Sequence, residues 1–475
     1  MVIHDYSFLN ECNEIDKTMA DLREDLFEYL KQKFAISYKK NKFFQYLMGS
    51  QLLKKCHWVM TMIKASLRHI KFQTIIDALK QEGIPYKSDS ASSILVWYDS
   101  ITGSDYFKAL KPWQVVNRIP SMNVLCRKAP FTRIIQKIGK YYPDLYSFLP
   151  KSYILPFMNS QLLRRISKKG EKFIIKPDSG SLGQGITIVE PGMEFSPDDS
   201  LAVAQKYIPS FLLDDTKFDL RIYVLISSLS PLEIYVYRDG LARFCSEKNG
   251  SSSSYSQITN VTYNKTNIEA ENFENISKLI SDVFPRLKRE YDVNIDELWR
   301  KIDNVVVLTI IAAYSYLEKG EHWECPRIGY SRCFQILGFD ILLDQNLEPY
   351  VIEVNYRPSL EYHRGPERRM KVNMVAEAIK ISVPLPNEQG VLSSRNWGWE
   401  DDTWQTFVES TSELDSHRIS IKEEAIKNSK YKKVFPVQGN QQKIYEQVLD
   451  KVRTLPMDNL PGLKVPFPIA NKEEA

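Results

Sequence analysis

Asp340, Glu353 and Asn355 are the residues of this chain whose types and spacing most directly suggest chemistry. They lie in FQILGFDILLDQNLEPYVIEVNYRPS, residues 334–359. The apolar run Ile336–Leu343, a polar turn around Asp344, Gln345 and Asn346, and a second run Tyr350–Val354 predict a β-hairpin. Asp340 and Glu353 are equidistant from the turn, so an unbulged hairpin sets them opposite each other. Glu353 and Asn355 are two apart and share one face of their strand. Carboxylates bracketed by Ile341, Leu342, Val351 and Ile352 need a reason, and a hard divalent cation carrying phosphate supplies one. The plainer reading is an acidic turn on a solvated hairpin edge.

Upstream, FIIKPDSGSLGQGITIV (173–189) reads as a strand ending in Lys176, a loop with Gly180, Gly183 and Gly185, and a second strand. Glycines let backbone N–H groups close over phosphate oxygens, and the lysine adds a point charge. It is not a Walker A sequence, since no GK[ST] is present. In KFDLRIYVLISS (217–228), Lys217, Asp219 and Arg221 have one parity, while Phe218, Leu220 and Ile222 have the other. Three charges on one face of a central strand are costly in a plain core and sensible beside charged ligands. Arg243, in GLARF, could join them from a neighbouring strand. A metal-binding hairpin, a glycine loop with lysine and a cationic strand together describe an ATP-dependent ligase. In such chemistry a carboxylate attacks the γ-phosphate and an amine displaces the resulting acyl phosphate, while cations neutralise the charge.

These groups need a sizeable scaffold, and 475 residues with 43% apolar and 26% charged content provide one. The longest apolar run, Val305–Tyr314, is far short of the roughly 20 residues of a membrane span and reads as a buried helix. No secretion leader is expected from the N-terminal sequence. Six cysteines contain no CxxC pair, so free thiols in a reducing cytoplasm are expected over a zinc site at Cys325, Cys333 and His322. Net charge is only +4, yet Lys31–Ile76 contains no Asp or Glu and many lysines, which suits a polyanionic partner or a solvated helical face. A nucleic-acid role lacks any recognition motif. Helices are expected over the first 65 residues, at 133–141 after an Ala129-Pro130 break, at 269–290, 296–318 and 367–382; residues 172–260 read as strand-rich, and Pro456–Ala475 as poorly ordered.

The strings VNRIPSMNVLCRKAPFTRII, IIKPDSGSLGQGI, AQKYI, KFDLRIYVLISSLSPLEIYVYRDGLARF, ITNVTYNK and LGFDILLDQNLEPYVIEVNYRPS, in this order, resemble the tubulin tyrosine ligase-like family. The resemblance covers about Ser66–Leu385 and continues weakly to Pro436. It implies an α/β (α+β) ATP-grasp fold divided into 1–65 (basic helical extension), 66–150 (N-terminal subdomain), 151–215 (central ATP-binding subdomain), 216–385 (C-terminal subdomain with the Mg²⁺ site) and 386–475 (helical or irregular tail). It implies ATP and Mg²⁺ as cofactors, with Lys128, Lys176, Gln184 and Gly185 on the phosphates and Gln205, Lys206, Tyr207 and Ile208 as the adenine hinge. Lys217, Asp219, Thr259 and Asn260 would continue the nucleotide site, and Asp340, Glu353 and Asn355 would hold the metal. Arg221 and Arg243 would face the acyl phosphate or amino-acid carboxylate, Val261 and Thr262 the same pocket, and Lys371 an incoming glutamate; Lys278 is a looser match. The RPS…K spacing and NSKYKKVFP (428–436) are most similar to the polyglutamylases. Gln257 and Tyr356-Arg357 depart from the family's usual histidine and His-Ser, which leaves branch initiation or elongation unassigned. The implied partners are tubulin or microtubules through acidic tails and free L-glutamate, in a monomer placed at the cytoskeleton, cilium, flagellum or basal body. A glycylase or tyrosine ligase of this fold, or a silent microtubule-binding protein, are the alternatives.

Overall fold

A computed structural model describes residues 65–383 and 422–469, apart from 69, 88–92, 100–104, 111–113, 180–183, 197, 252, 269–275, 326–330 and 364. Most of the basic block from Lys31, with Gly180 and Gly183 of the glycine loop, therefore lies outside the described residues. The chain divides into two compact units, one drawn from 1–118, 325–334 and 371–429 and the other from 119–324, 335–370 and 430–475.

The first unit contains a parallel sheet of β1 (Ala65–Arg68), β2 (Tyr86–Lys87), β3 (Leu95–Tyr98) and β4 (Val115–Val116), in the order β2-β1-β3-β4. Parallel strands need a crossover, and the helix Gln73–Gln81 supplies it between β1 and β2. Its buried Thr74, Ile75, Ala78 and Leu79 follow the helical period, and the Asp99 carboxylate accepts from the Lys71 and Phe72 amides just before it. Helix Gly365–Ser382 enters this unit from Lys371 onward, where Lys380 pairs with Glu82 at 2.5 Å.

The second unit carries two antiparallel sheets. The smaller consists of β5 (Ser152–Leu155), β6 (Phe173–Pro177), β7 (Thr187–Val189) and β8 (Ala202–Lys206), ordered β5-β8-β6-β7. The larger is built on β10 (Thr216–Leu229) and β11 (Leu232–Phe244), joined by a two-residue turn. β12 (Ser277–Leu279) pairs with β11, β13 (Gln335–Leu343) with β10, and β14 (Pro349–Asn355) with β13. β9 (Leu212–Leu213) and β15 (Tyr431–Phe435) complete its edges. Successive residues Ile222 to Ile226 are all fully buried, as expected of a central strand covered on both faces. Helix Ile295–Ala312, with Val305 to Ile311 buried, contributes to this core; Val305–Tyr314 is thus the buried segment that its apolarity indicates. No described helix is long and apolar enough to cross a membrane.

Several expected elements differ. The helix expected at 133–141 spans Lys128–Gly139, with Ala129 and Pro130 inside its first turn, where a missing N–H costs nothing. Of the helix expected at 269–290, residues 269–275 lie outside the described residues, Ser277–Leu279 form β12 and Ile280–Tyr291 are helical; the one expected at 296–318 is two, Ile295–Ala312 and Tyr314–Glu324. Of the tail Pro456–Ala475 expected to be poorly ordered, residues 470–475 lie outside the described residues, and the described part buries Leu460 and Phe467. It follows helix Asn440–Thr454. Cys126, Cys245, Cys325 and Cys333 are free thiols.

Candidate functional site

The β13–β14 hairpin places Asp340 directly across from Glu353 and Gly338 across from Asn355. The ladder is not unbulged: Asp340 pairs with Glu353 but Ile341 with Val351, so Ile352 is the extra residue. On the other side of β13, Asp340 faces Arg221 of β10, and one strand further Asp219 faces Arg243 of β11. Four charged side chains thus meet across three neighbouring strands.

Their contacts are specific. Arg243 forks onto Asp219 through Nε (2.6 Å) and Nη2 (2.7 Å), and its Nη2 also reaches Asp340 Oδ2 at 2.9 Å. Arg221 donates to Asp340 through Nε (2.6 Å) and Nη2 (3.1 Å). The Asn355 amide donates to Asp340 Oδ2 at 3.3 Å, and the Thr259 hydroxyl donates to Asp219. Burial alone would raise the Asp340 pKa, but the Arg221 and Arg243 guanidiniums outweigh it and hold the carboxyl below its usual range. The quartet is neutral overall, which is what lets Asp219 and Arg243 stay almost completely buried. Gly338 makes room for it, because a Cβ there would lie 2.9 Å from Pro358 Cβ and 3.1 Å from Arg221 Cδ.

Glu353 differs from its neighbours. It is half-buried and has no hydrogen bond or ion pair among the described residues. It lines a cleft with Lys128, Lys176, Gln205, Val203 and Ile352. Lys176 is fully buried from bulk solvent and donates to Gln205 Oε1 at 2.8 Å, while Gln205 Nε2 donates to Ser152 Oγ at 3.2 Å. Burial pushes the Lys176 ammonium down to about 8, Glu353 partly offsets this, and Lys128 adds to it. An anion entering the cleft favours the protonated lysine, so nucleotide affinity should fall as pH rises through about 8, and binding near that pH should take up protons. Calorimetry of ATP binding in buffers of different ionisation enthalpy would show this; pH-independent affinity from 7 to about 9 would contradict it.

The remaining expected residues fall in several places. Lys217 is buried, donates to the Tyr207 hydroxyl at 3.1 Å and lies 4.3 Å from that ring's centre; Lys172 lies 4.5 Å from the same centre. Lys206 is exposed and turns to Glu171 at 3.5 Å, and Ile208 is half-buried; of the hinge stretch, Gln205 alone lines the cleft. Gln184 and Gly185 are exposed at the entrance to β7. Asn260 caps the short helix Val261–Asn264 by accepting from the Tyr263 amide at 3.2 Å, which places Val261 and Thr262 in its first turn. Lys278 sits on β12 opposite Ala242, 5.3 Å from the Phe244 ring centre. Lys371 is buried on helix Gly365–Ser382 and belongs to the first unit.

Residue reading by type missed three participants. Asn264 is fully buried and donates to the carbonyls of Ile258 (2.6 Å) and Asn260 (3.0 Å), bracing the Thr259–Asn260 turn. Arg127 and Asp178 pair beside Lys128 and Lys176. Asp178 has the parity of Lys176 in FIIKPD, a signal that was available.

Two opposed carboxylates and an amide on neighbouring strands could hold a divalent cation, and Glu353, which has no hydrogen bond or ion pair among the described residues, is the member of that set left open. Two lysines and two arginines gather around the same donors, an arrangement suited to stabilising phosphate charge.

A model of the tubulin-tyrosine ligase family matches residues 107–390. The chain is similar to tubulin polyglutamylase TTLL6 of Mus musculus, 30% identical over 376 residues, which are 75% of this chain and 44% of that protein. It is 33% identical over 316 residues to tubulin polyglutamylase TTLL7 of Xenopus tropicalis, 62% of this chain and 34% of that one. With tubulin polyglutamylase TTLL13 of Mus musculus it shares 32% identity over 331 residues, 66% of this chain and 41% of the other. The match spans under half the length of each of these relatives. A family match over more than half of the sequence, joined to strands that bring its charged residues together, shows that the chain belongs to the tubulin-tyrosine ligase family.

Proposed function

We propose that this protein is an ATP- and Mg²⁺-dependent ligase that adds glutamate to glutamate side chains of tubulin tails through an acyl phosphate. The observation that carries the reading is the contrast within the hairpin: Asp340 is held by two arginines, while Glu353, opposite it, has no hydrogen bond or ion pair among the described residues and lines the cleft with Lys176. The mixed α/β architecture, with two antiparallel sheets in one unit, supports an ATP-grasp assignment.

Asp340, Glu353 and Asn355 would hold Mg²⁺, which when bound neutralises phosphate charge. Lys128 and Lys176 bind the nucleotide's phosphates in the cleft, and Lys217 with Tyr207 borders it. An acceptor carboxylate oxygen attacks the γ-phosphorus, and the bond from that phosphorus to the bridging oxygen breaks with ADP leaving. The amine of free glutamate then attacks the acyl carbon; phosphate departs with the carboxylate oxygen, and the ammonium proton passes to solvent. Arg221 and Arg243 supply fixed positive charge where the anionic intermediate forms. The relatives' printed names support tubulin as acceptor. The acid-free stretch Lys31–Ile76 suits its acidic tails. Lys371 would take the incoming glutamate's carboxylate. We place the enzyme, as a monomer, at the cytoskeleton, including cilia.

Intact-tail mass spectrometry of tubulin incubated with the protein, Mg²⁺-ATP and equimolar glutamate, glycine and tyrosine tests this. Glutamate ladders are expected. Glycine or tyrosine additions would overturn the donor, and no addition with ATP still bound would favour a silent binding protein.

A further inference from the structure

The residues after helix Asn440–Thr454 run back along helix Lys128–Gly139, whose first residue lines the cleft. Their attachment is dense. Asp458 takes Arg133 and Lys137, each at 3.0 Å, and exchanges backbone hydrogen bonds with the Tyr316 hydroxyl at 2.7 and 2.9 Å. Lys319 donates to the Pro468 carbonyl at 3.0 Å, and Leu460 and Phe467 are buried. Between these anchors, the Gly462 carbonyl accepts from Arg127. Gly462 has φ +67°, and a Cβ there would displace the Leu201 side chain and stand 3.0 Å from Arg127 Nη2, so a substitution is strained and disturbs the arginine.

Arg127 also donates through Nε to Asp178 Oδ2 at 2.8 Å, and the other oxygen of Asp178 accepts from the Ala129 amide at 2.7 Å. Asp178 is buried and its own amide donates to the Leu201 carbonyl at 3.0 Å. One carboxylate therefore ties the end of β6, which carries Lys176, to the start of the helix that carries Lys128. The two ammonium groups repel each other, so left alone they would spread. Arg127 itself is about a third exposed on its side chain, at 31%, and reaches outward to the C-terminal segment.

We propose that Arg127 and Asp178, held by the Gly462 carbonyl, are positioning residues that fix the separation of Lys128 and Lys176, which makes the C-terminal segment part of the nucleotide site. This rests on the ATP reading above. Lysines set at the spacing of a polyphosphate bind it without first being drawn together, so disturbing the latch raises the ATP requirement while the chemistry downstream is preserved.

The test is Mg²⁺-ATP binding by calorimetry on the full chain, with steady-state kinetics alongside. Asp178→Asn, Arg127→Gln and Gly462→Val should each weaken ATP about 10-fold and raise its KM, with the KM for the donor amino acid unchanged. Arg127→Lys, which keeps the ion pair, should recover most of the affinity. Should Asp178→Asn fail to fold, Arg127, a third exposed, carries the comparison. Affinities within about 2-fold of native for Arg127→Gln and Gly462→Val, with Lys176→Ala binding no ATP, would overturn the latch alone. Undiminished affinity in Lys176→Ala would instead overturn the ATP reading beneath it.

Discussion

Glu353→Gln should abolish ligation, lowering turnover by about 10³-fold or more, while leaving the melting temperature within a few degrees of native. The two halves of this expectation have one cause. Glu353 is half-buried at the cleft and bonds to nothing among the described residues, so the fold loses no hydrogen bond or ion pair when its charge is removed. Its neighbour across the ladder cannot replace it, because Asp340 Oδ2 is occupied by Arg221, Arg243 and Asn355, which leaves Oδ1, itself bonded to Arg221 Nε, as its one oxygen for a cation. The substitution also removes the anion that favours the Lys176 ammonium, so the lysine's proton should be held less tightly than at about 8. Parallel thermal melts and glutamate-incorporation assays check this. Unfolding of the variant would show that Glu353 is a structural residue, and near-native turnover would show that the cleft is not where the chemistry occurs.

Arg243→Ala should be the most destabilising change in the site, costing about 3–5 kcal/mol, and should also eliminate activity. Arg243 neutralises two buried carboxylates, Asp219 and Asp340, and among the described residues no other cation contacts Asp219. Without it Asp219 keeps only the Thr259 hydroxyl, and an uncompensated buried carboxylate must either unfold its surroundings or take up a proton. The pH dependence follows. Asp340 is held below the usual carboxylate range, so its ion pairs contribute stability that is present above about pH 4 and lost as pH falls through the lowered value. With Arg243 removed, Asp340 should titrate at higher pH and this acid-side slope should begin earlier. Urea unfolding of native and variant protein between pH 3 and about 7 measures both effects. A loss below about 1 kcal/mol would mean that the two carboxylates are not held as buried anions.

Part of the site's geometry was accessible from spacing. Asp340 and Glu353 do lie opposite each other, but not through turn symmetry: continued unbulged from Leu343–Pro349 and Ile341–Val351, the ladder pairs Asp340 with Ile352, and the extra residue brings Glu353 across from Asp340. The bulge at Ile352 was not accessible, since inserting a residue leaves composition and alternation on either side unchanged. Parity grouped Lys217, Asp219 and Arg221 on one face. It could not tell that Asp219 pairs toward β11 and Arg221 toward β13, because partner choice depends on which strand lies on which side. The helix at Lys128 was misplaced because Pro130 was read as a break, although proline is tolerated in a first turn. The C-terminal segment was misread from its prolines. Its order comes from a few anchors, Asp458, Leu460 and Phe467, whose partners lie far away in sequence.

The most direct test of the central claim follows an oxygen atom. Tubulin whose tail carboxylates carry ¹⁸O, incubated with the protein, Mg²⁺-ATP and glutamate likewise labelled in its carboxyl groups, should release inorganic phosphate bearing one ¹⁸O for each glutamate added. That transfer occurs only if an acceptor carboxylate oxygen bonds to the γ-phosphorus and leaves with it. Glutamate addition accompanied by unlabelled phosphate would contradict the account.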